Sequence, residues 1–161
     1  MGLGYLSSCV QQNISLTHFL RKHHPYYSKK ILDLPQNKNP MNTLKITVKN
    51  KVAFVALDRG KSNAINTEMV SELHQAMQNI ETDTSIGGVI LTGKEGFFSA
   101  GLDLIELYDY DDHSIKEFWN NFLSLTAQMT SFKKPLISAI SGHSPAGGCV
   151  LALCADYRIM T

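Results

Sequence analysis

Two short stretches hold residue types that expose backbone N–H groups to a ligand. The first is Gly96-Phe97-Phe98-Ser99-Ala100-Gly101-Leu102-Asp103-Leu104. Small residues at 99–101 allow a ligand to come close to the main chain. The second is Ser141-Gly142-His143-Ser144-Pro145-Ala146-Gly147-Gly148-Cys149. It leads into a helix-like run, and its paired glycines leave backbone donors at the positive end of the helix dipole. Two such N–H groups aimed at one oxygen form an oxyanion hole, in which losing a single donor costs about 10²–10³ in rate. Either stretch alone reads equally well as an ordinary glycine turn. Phosphate binding is the alternative ligand chemistry, but neither stretch matches GxxxxGKS/T or GxGxxG.

The elements that would position these loops follow from periodicity. Leu44–Lys49 alternates apolar and polar residues as a half-buried strand does, and Asn50-Lys51 reads as a tight turn into a second strand, Val52–Leu57. Asn66 or Thr67 caps a helix whose apolar face is Met69, Val70, Leu73, Ala76, Met77 and Ile80. Residues 86–92 form a short buried strand and residues 102–108 a short helix. Ser114 with Glu117 fits a capping box. That box opens a helix with Ile115, Phe118, Trp119, Phe122, Leu125 and Met129 as its core face, which Pro135 prevents from continuing. Leu136–Ile140 is strand-like, residues 150–155 helix-like, and Tyr157–Met160 begins another strand. The order β-β-α-β-α-α-β-α-β is that of an α/β protein. The strands at 86–92 and 136–140 each run into a glycine-containing loop and then a helix. Ligands collect where strand carboxyl ends meet helix N-termini, so the two loops are expected to converge on one site.

Composition narrows the classes. The chain of 161 residues is 43% hydrophobic and 18% charged, with a net charge of +1, which fits a globular domain and gives no sign of nucleic-acid binding. Residues 1–40 carry a net +4 and residues 41–161 a net −3. The first forty residues thus read as a basic leader, disordered or a targeting segment, or as sequence upstream of a start at Met41, and residues 41–161 as the globular domain. Cys9, Cys149 and Cys154 form no CxxC pair and have no histidine at zinc spacing, so no metal site is expected. Cys149 and Cys154 lie in an apolar run and read as small core residues of a reducing compartment: the cytoplasm, or the mitochondrial matrix if the leader is a transit peptide. No apolar run approaches the roughly 20 residues that span a bilayer.

Taken in order, LDRGKSNAIN, GVILTGKEGFFSAGLDL and KPLISAISGHSPAGGCVLALCADYRIM resemble the successive signatures of the crotonase (enoyl-CoA hydratase/isomerase) superfamily. The match runs from about Leu44 to the end of the chain. The resemblance implies a ClpP/crotonase-like spiral of ββα units, present here as an N-terminal portion without the C-terminal helical region, and usually trimeric. It implies a coenzyme A thioester as substrate and no separate cofactor. The N–H groups of Ala100 and Gly147 match the oxyanion donors. Lys61, Ser62, Asn63, Ala64 and Ile65, with Ser99, Ala100, Gly101, Leu102, Asp103 and Leu104, match the walls around the CoA adenine and pantetheine. Lys61 reads as a phosphate contact or as a solvated lysine. Asp103 is expected to be a helix cap rather than a base, His143 a solvated turn residue, and Asp156 structural.

The chain departs from the hydratase pattern at one telling place. In GGGCEL the first of two catalytic glutamates follows the cysteine, and the matching residue here is Val150. A valine can neither accept nor deliver a proton, so water addition is disfavoured. PAGGCVLALCADYRIM is similar instead to the mitochondrial-type Δ3,Δ2-enoyl-CoA isomerases of fatty-acid β-oxidation, which move one proton with a single glutamate. The resemblance places that glutamate after DYRIM, beyond Thr161. The expected activity is therefore double-bond migration. A hydratase or another crotonase reaction is the alternative enzyme, and a non-catalytic CoA-binding or oligomer-partner fragment is the alternative of another class.

Overall fold

A computed structural model describes residues 41–160. The readings placed on residues 1–40 and on Thr161 lie outside the described residues. Five strands form one sheet in the order β1 (Leu44–Lys49), β2 (Val52–Leu57), β3 (Gly88–Thr92), β5 (Leu136–Ile140), β7 (Tyr157–Met160). β1 and β2 are antiparallel and the remaining pairs are parallel. Asn50 and Lys51 both take positive φ, 51° and 65°, as a two-residue hairpin turn matched to strand twist requires.

Helix α1 (Thr67–Thr82) crosses from β2 to β3. Asn66 is its cap, accepting from the Met69 N–H at 3.0 Å, and all six residues of the expected apolar face are buried. Each of these side chains other than that of Ala76 contributes about 1.5–3 kcal/mol of burial. The Lys134 ammonium closes the far end of α1 by donating to the carbonyls of Ile80 (2.5 Å) and Asp83 (2.6 Å), groups the helix leaves without partners. Helix α2 (Leu104–Tyr108) and helix α3 (Asp112–Thr130) cross from β3 to β5. The expected capping box at Ser114 and Glu117 is not the start of α3. Asp111 is the cap, its carboxylate accepting from the Ser114 N–H at 2.7 Å, because a preceding acid competes successfully for the same orphan donor. Phe118, Phe122, Leu125 and Met129 are buried as expected, Ile115 is partly buried, and Trp119 remains 43% exposed. Helix α4 (Gly147–Leu153) links β5 to β7 and starts three residues earlier than periodicity indicated, because its first turn is glycine.

Two strands escaped the sequence reading altogether: β4 (Gly96–Phe97) and β6 (Gly142–His143), which pair in parallel as a separate two-stranded sheet. With them the chain repeats as β-β-α: β1-β2-α1, then β3-β4 before α2 and α3, then β5-β6-α4. This is the repeat expected of the crotonase spiral. Cys149, expected in the core, is exposed, because α4 buries Gly147, Gly148, Leu151 and Ala152 instead.

Candidate functional site

The two glycine loops do converge, and their backbones make the junction. Gly96 stands opposite Gly142 and Phe97 opposite His143 in the β4–β6 pair. The Gly96 N–H donates to the Ser141 carbonyl at 3.1 Å, and the His143 carbonyl accepts from Phe98 (2.9 Å) and Ser99 (3.3 Å). A Cβ at Gly142 would lie 2.2 Å from the Gly96 carbonyl carbon, and one at Gly148 would lie 2.5 Å from the Ser99 oxygen. Only glycine permits this separation.

A third segment, residues 59–66, backs the first loop. Asn63 is fully buried and takes a positive φ of 52°. Its side-chain amide donates to the Phe98 carbonyl at 3.1 Å, its side-chain oxygen accepts from the Arg59 N–H at 2.9 Å, and its carbonyl accepts from Ser99 Oγ at 2.8 Å. Asn63 and Ser99, matched above to ligand walls, are therefore buried struts whose side chains face protein. Ile65 and Leu102 form a parallel bridge, in which the Ile65 N–H donates to Gly101 O and the Asp103 N–H to Ile65 O, each at 2.8 Å.

This pairing corrects the assignment of Ala100. Its N–H is not available to a ligand, because it donates to the Ser62 carbonyl at 2.8 Å. In a parallel bridge alternate N–H groups face opposite ways. Asp103 points its donor at Ile65, and Leu102 between the bonded Gly101 and Asp103 points its own away, with no acceptor among the described residues. Gly147 is the first residue of α4, so its N–H also has no intrahelical acceptor. The two loops adjoin at these residues: a Cβ built on Gly101 would lie 3.2 Å from the Gly147 nitrogen, and one on Gly147 would lie 3.1 Å from Leu102 Cδ2. The site thus presents the N–H groups of Leu102 and Gly147, one from each loop. The bridge to Ile65, invisible to periodicity, is the signal that separates Leu102 from Ala100.

Ala146, the residue before α4, holds φ 46° and ψ −119° and makes no side-chain capping bond. This conformation is strained for a residue with a Cβ, at about 1–3 kcal/mol, and it sets the direction in which the Gly147 N–H emerges. Ala146→Gly is expected to raise unfolding stability by about 0.5–1 kcal/mol, since glycine adopts positive φ without strain and gives part of the gain back as chain entropy. Urea unfolding followed by circular dichroism measures it, and an unchanged or lower midpoint would show that Ala146 is unstrained.

The remaining matched residues divide by exposure. Lys61 is exposed and has no hydrogen-bond or ion-pair partner among the described residues. Ser62 and Ala64 are half-buried, and Gly101 is buried beneath Ala146 and Gly147. Leu104 is 73% exposed on α2, beside Ile105 at 84% and Tyr108 at 90%. His143 is exposed, its ring tilted against Phe97 with centroids 5.2 Å apart. Asp156 is structural: its carboxylate accepts from the Leu136 N–H at 2.9 Å.

Asp103 is the cap of α2, accepting from the Glu106 N–H at 3.2 Å, and it is paired with Arg59 at 2.7 Å. Burial pushes its carboxyl up, but the Arg59 guanidinium and the Glu106 N–H outweigh burial and leave it below the ordinary value of 3.8. A carboxyl depressed in the folded state contributes stability at pH values above its unfolded value. That contribution is lost as pH falls through the folded value. The urea midpoint is therefore expected to be level above about pH 5 and to fall below about pH 4. Asp103→Asn keeps the cap and should flatten that acid limb; a limb of unchanged steepness would assign it to other carboxylates.

Residues 47–161 match the family described as Enoyl-CoA hydratase/isomerase. Enoyl-CoA delta isomerase 1, mitochondrial, of Mus musculus is 44% identical over 110 residues, covering 68% of this chain and 38% of that protein. A probable mitochondrial enoyl-CoA hydratase of Dictyostelium discoideum is 34% identical over 113 residues, covering 69% of this chain and 40% of that one. The crystal structure of human mitochondrial delta3-delta2-enoyl-CoA isomerase superposes with a TM-score of 0.70 at 33% identity, covering 73% of this chain and 46% of that chain. The chain spans about two-fifths of the length of these curated relatives. Matched over most of its length in sequence and superposing over most of its length on a solved relative, the chain belongs to the enoyl-CoA hydratase/isomerase family and has the crotonase fold.

Proposed function

We propose that this chain holds an acyl-CoA thioester with its carbonyl oxygen between the N–H groups of Leu102 and Gly147, and that the reaction is migration of a double bond from C3 to C2. The observation that carries the reading is a pair of backbone donors without acceptors among the described residues, one on each of two loops that glycines hold in close contact. An α-proton of a thioester is only weakly acidic. Donors already in place where charge builds on the oxygen lower the barrier to the enolate without reorganising. A base takes the proton from C2, the dienolate is held on the two N–H groups, and the proton returns at C4. The CoA thioester is the substrate, and these steps need no further cofactor.

Val150 supports isomerisation over hydration. It stands in the second half-turn of α4, 40% exposed, and offers no proton acceptor beside the donors. Among the acids near the first loop, Asp103 and Glu106 are engaged with Arg59, and Glu95 is exposed at the turn before β4. The reading leaves the base to a group outside residues 41–160. It also includes a trimer, which sedimentation equilibrium of the purified protein tests. It further includes a mitochondrial or cytoplasmic setting, which the mature N-terminus distinguishes. The decisive assay supplies 3-enoyl-CoA and 2-enoyl-CoA separately. Conversion of the first to the 2-enoyl thioester with negligible water addition to the second supports the isomerase. Rapid hydration would make the protein a hydratase, and binding without turnover of either would make it a CoA-binding module.

A further inference from the structure

We infer that Arg59 is a positioning residue for the oxyanion donor of Leu102, acting as a three-way fork that fixes the strand pairing in which Leu102 sits. This rests on the reading of Leu102 and Gly147 as thioester ligands.

The Arg59 guanidinium donates from one nitrogen to the Ala64 carbonyl (3.0 Å) and to the Asp103 carboxylate (2.7 Å), and its other nitrogen lies 3.4 Å from Glu106. Ala64 immediately precedes Ile65, and Asp103 immediately follows Leu102. Arg59 therefore clamps both strands of the Ile65–Leu102 bridge from outside, while the bridge's two backbone bonds clamp them from within. Rotation of the Leu102 peptide would break one of these bonds or pull Asp103 from the guanidinium. The fork is anchored in turn. Glu106 also accepts from the Asn66 side chain (2.8 Å) and the Tyr110 hydroxyl (2.6 Å), and that hydroxyl is 2.6 Å from Thr67 Oγ1. Asn66 caps α1. The donor is thus tied to the start of the long core helix through a chain of side-chain hydrogen bonds. Arginine is required because its planar fork reaches three acceptors at fixed angles, which a lysine ammonium on a flexible stem cannot do.

The test uses the purified protein, free CoA, and a conjugated aryl-acryloyl-CoA whose absorption moves to the red when its carbonyl is polarised. Arg59→Lys and Asp103→Asn are compared with the unsubstituted chain. The expected result in both variants is cooperative unfolding retained, with thioester affinity about tenfold weaker relative to free CoA and most of the red shift lost. Asp103→Asn keeps the α2 cap and guards against simple misfolding. A full red shift in both variants would overturn the inference. Parallel loss of CoA affinity, cooperative unfolding and red shift in both would also overturn it, by making Arg59 a structural residue only. Absence of a red shift in the unsubstituted protein would overturn instead the oxyanion reading on which it rests.

Discussion

Replacing the Leu102 amide by an ester is expected to lower turnover of 3-enoyl-CoA by about 10²–10³-fold, the range measured when one oxyanion donor is removed. The same replacement at Ala100 is expected to leave turnover within a few-fold of normal. An ester removes the N–H and alters no side chain, so the two variants ask a single question of two neighbouring donors. Ala100 already gives its N–H to Ser62 at 2.8 Å, and losing that bond costs stability of about 1 kcal/mol. Leu102 gives its N–H to no acceptor among the described residues. The ester at Leu102 also weakens the Gly101 carbonyl that accepts from Ile65, so both esters should cost about 1 kcal/mol in urea unfolding, and only the ester at Leu102 should be severe in turnover. Semisynthesis with the corresponding hydroxy acids, followed by both assays, checks the pattern. A large turnover loss at Ala100 with none at Leu102 would restore the assignment made from the sequence motif.

That assignment shows where sequence stops being informative. Strands β2 and β5 and the buried stripe of α1 were legible because each repeats a burial pattern over five or more residues, and β1 because its residue types alternate between apolar and polar. β4 and β6 were not. Each is two residues long and contains a glycine, and a pair of residues has no period. Yet these two strands make the loops meet. The small-residue run Ser99-Ala100-Gly101 correctly marked a close approach of main chains, but part of that approach is to the protein itself: Ser99 meets Gly148, and Ala100 meets Ser62. Which N–H in such a run faces outward depends on a bridge to Ile65, 37 positions away, and no local pattern encodes it. The roles of Asp103 as a cap and of Asp156 as a strut were legible because both follow from local backbone needs. The struts Asn63 and Ser99 were named for the wrong reason: a polar residue beside a ligand loop looks the same in sequence whether it faces the ligand or supports the loop from behind.

Gly148→Ala is expected to destabilise the protein by about 1–3 kcal/mol, and to reduce turnover of 3-enoyl-CoA by about 10²-fold as the donors part. The added methyl would stand 2.5 Å from the Ser99 carbonyl oxygen and 3.1 Å from its Cβ. Ser99 cannot retreat. It is fully buried, its hydroxyl donates to Asn63 O at 2.8 Å, and that hydroxyl accepts from the Gly101 N–H at 3.1 Å. The strain must fall on α4, which moves away and carries the Gly147 N–H with it. Gly147→Ala makes the contrast. Its methyl would meet the ends of the Leu102 and Ile65 side chains at 3.1 and 3.3 Å, and these can rotate aside. Its stability cost should be the smaller of the two, although both glycines lie in the same turn of the same helix. Gly96→Ala completes the series: φ is 82° but no atom lies within 4 Å of the added methyl, so backbone strain alone is expected, at about 1 kcal/mol, with turnover nearly intact. Urea unfolding and turnover of the three variants separate steric separation of the loops from conformational strain. If Gly148→Ala kept both stability and turnover, the contact between α4 and the first loop would not be what sets the distance between the two donors.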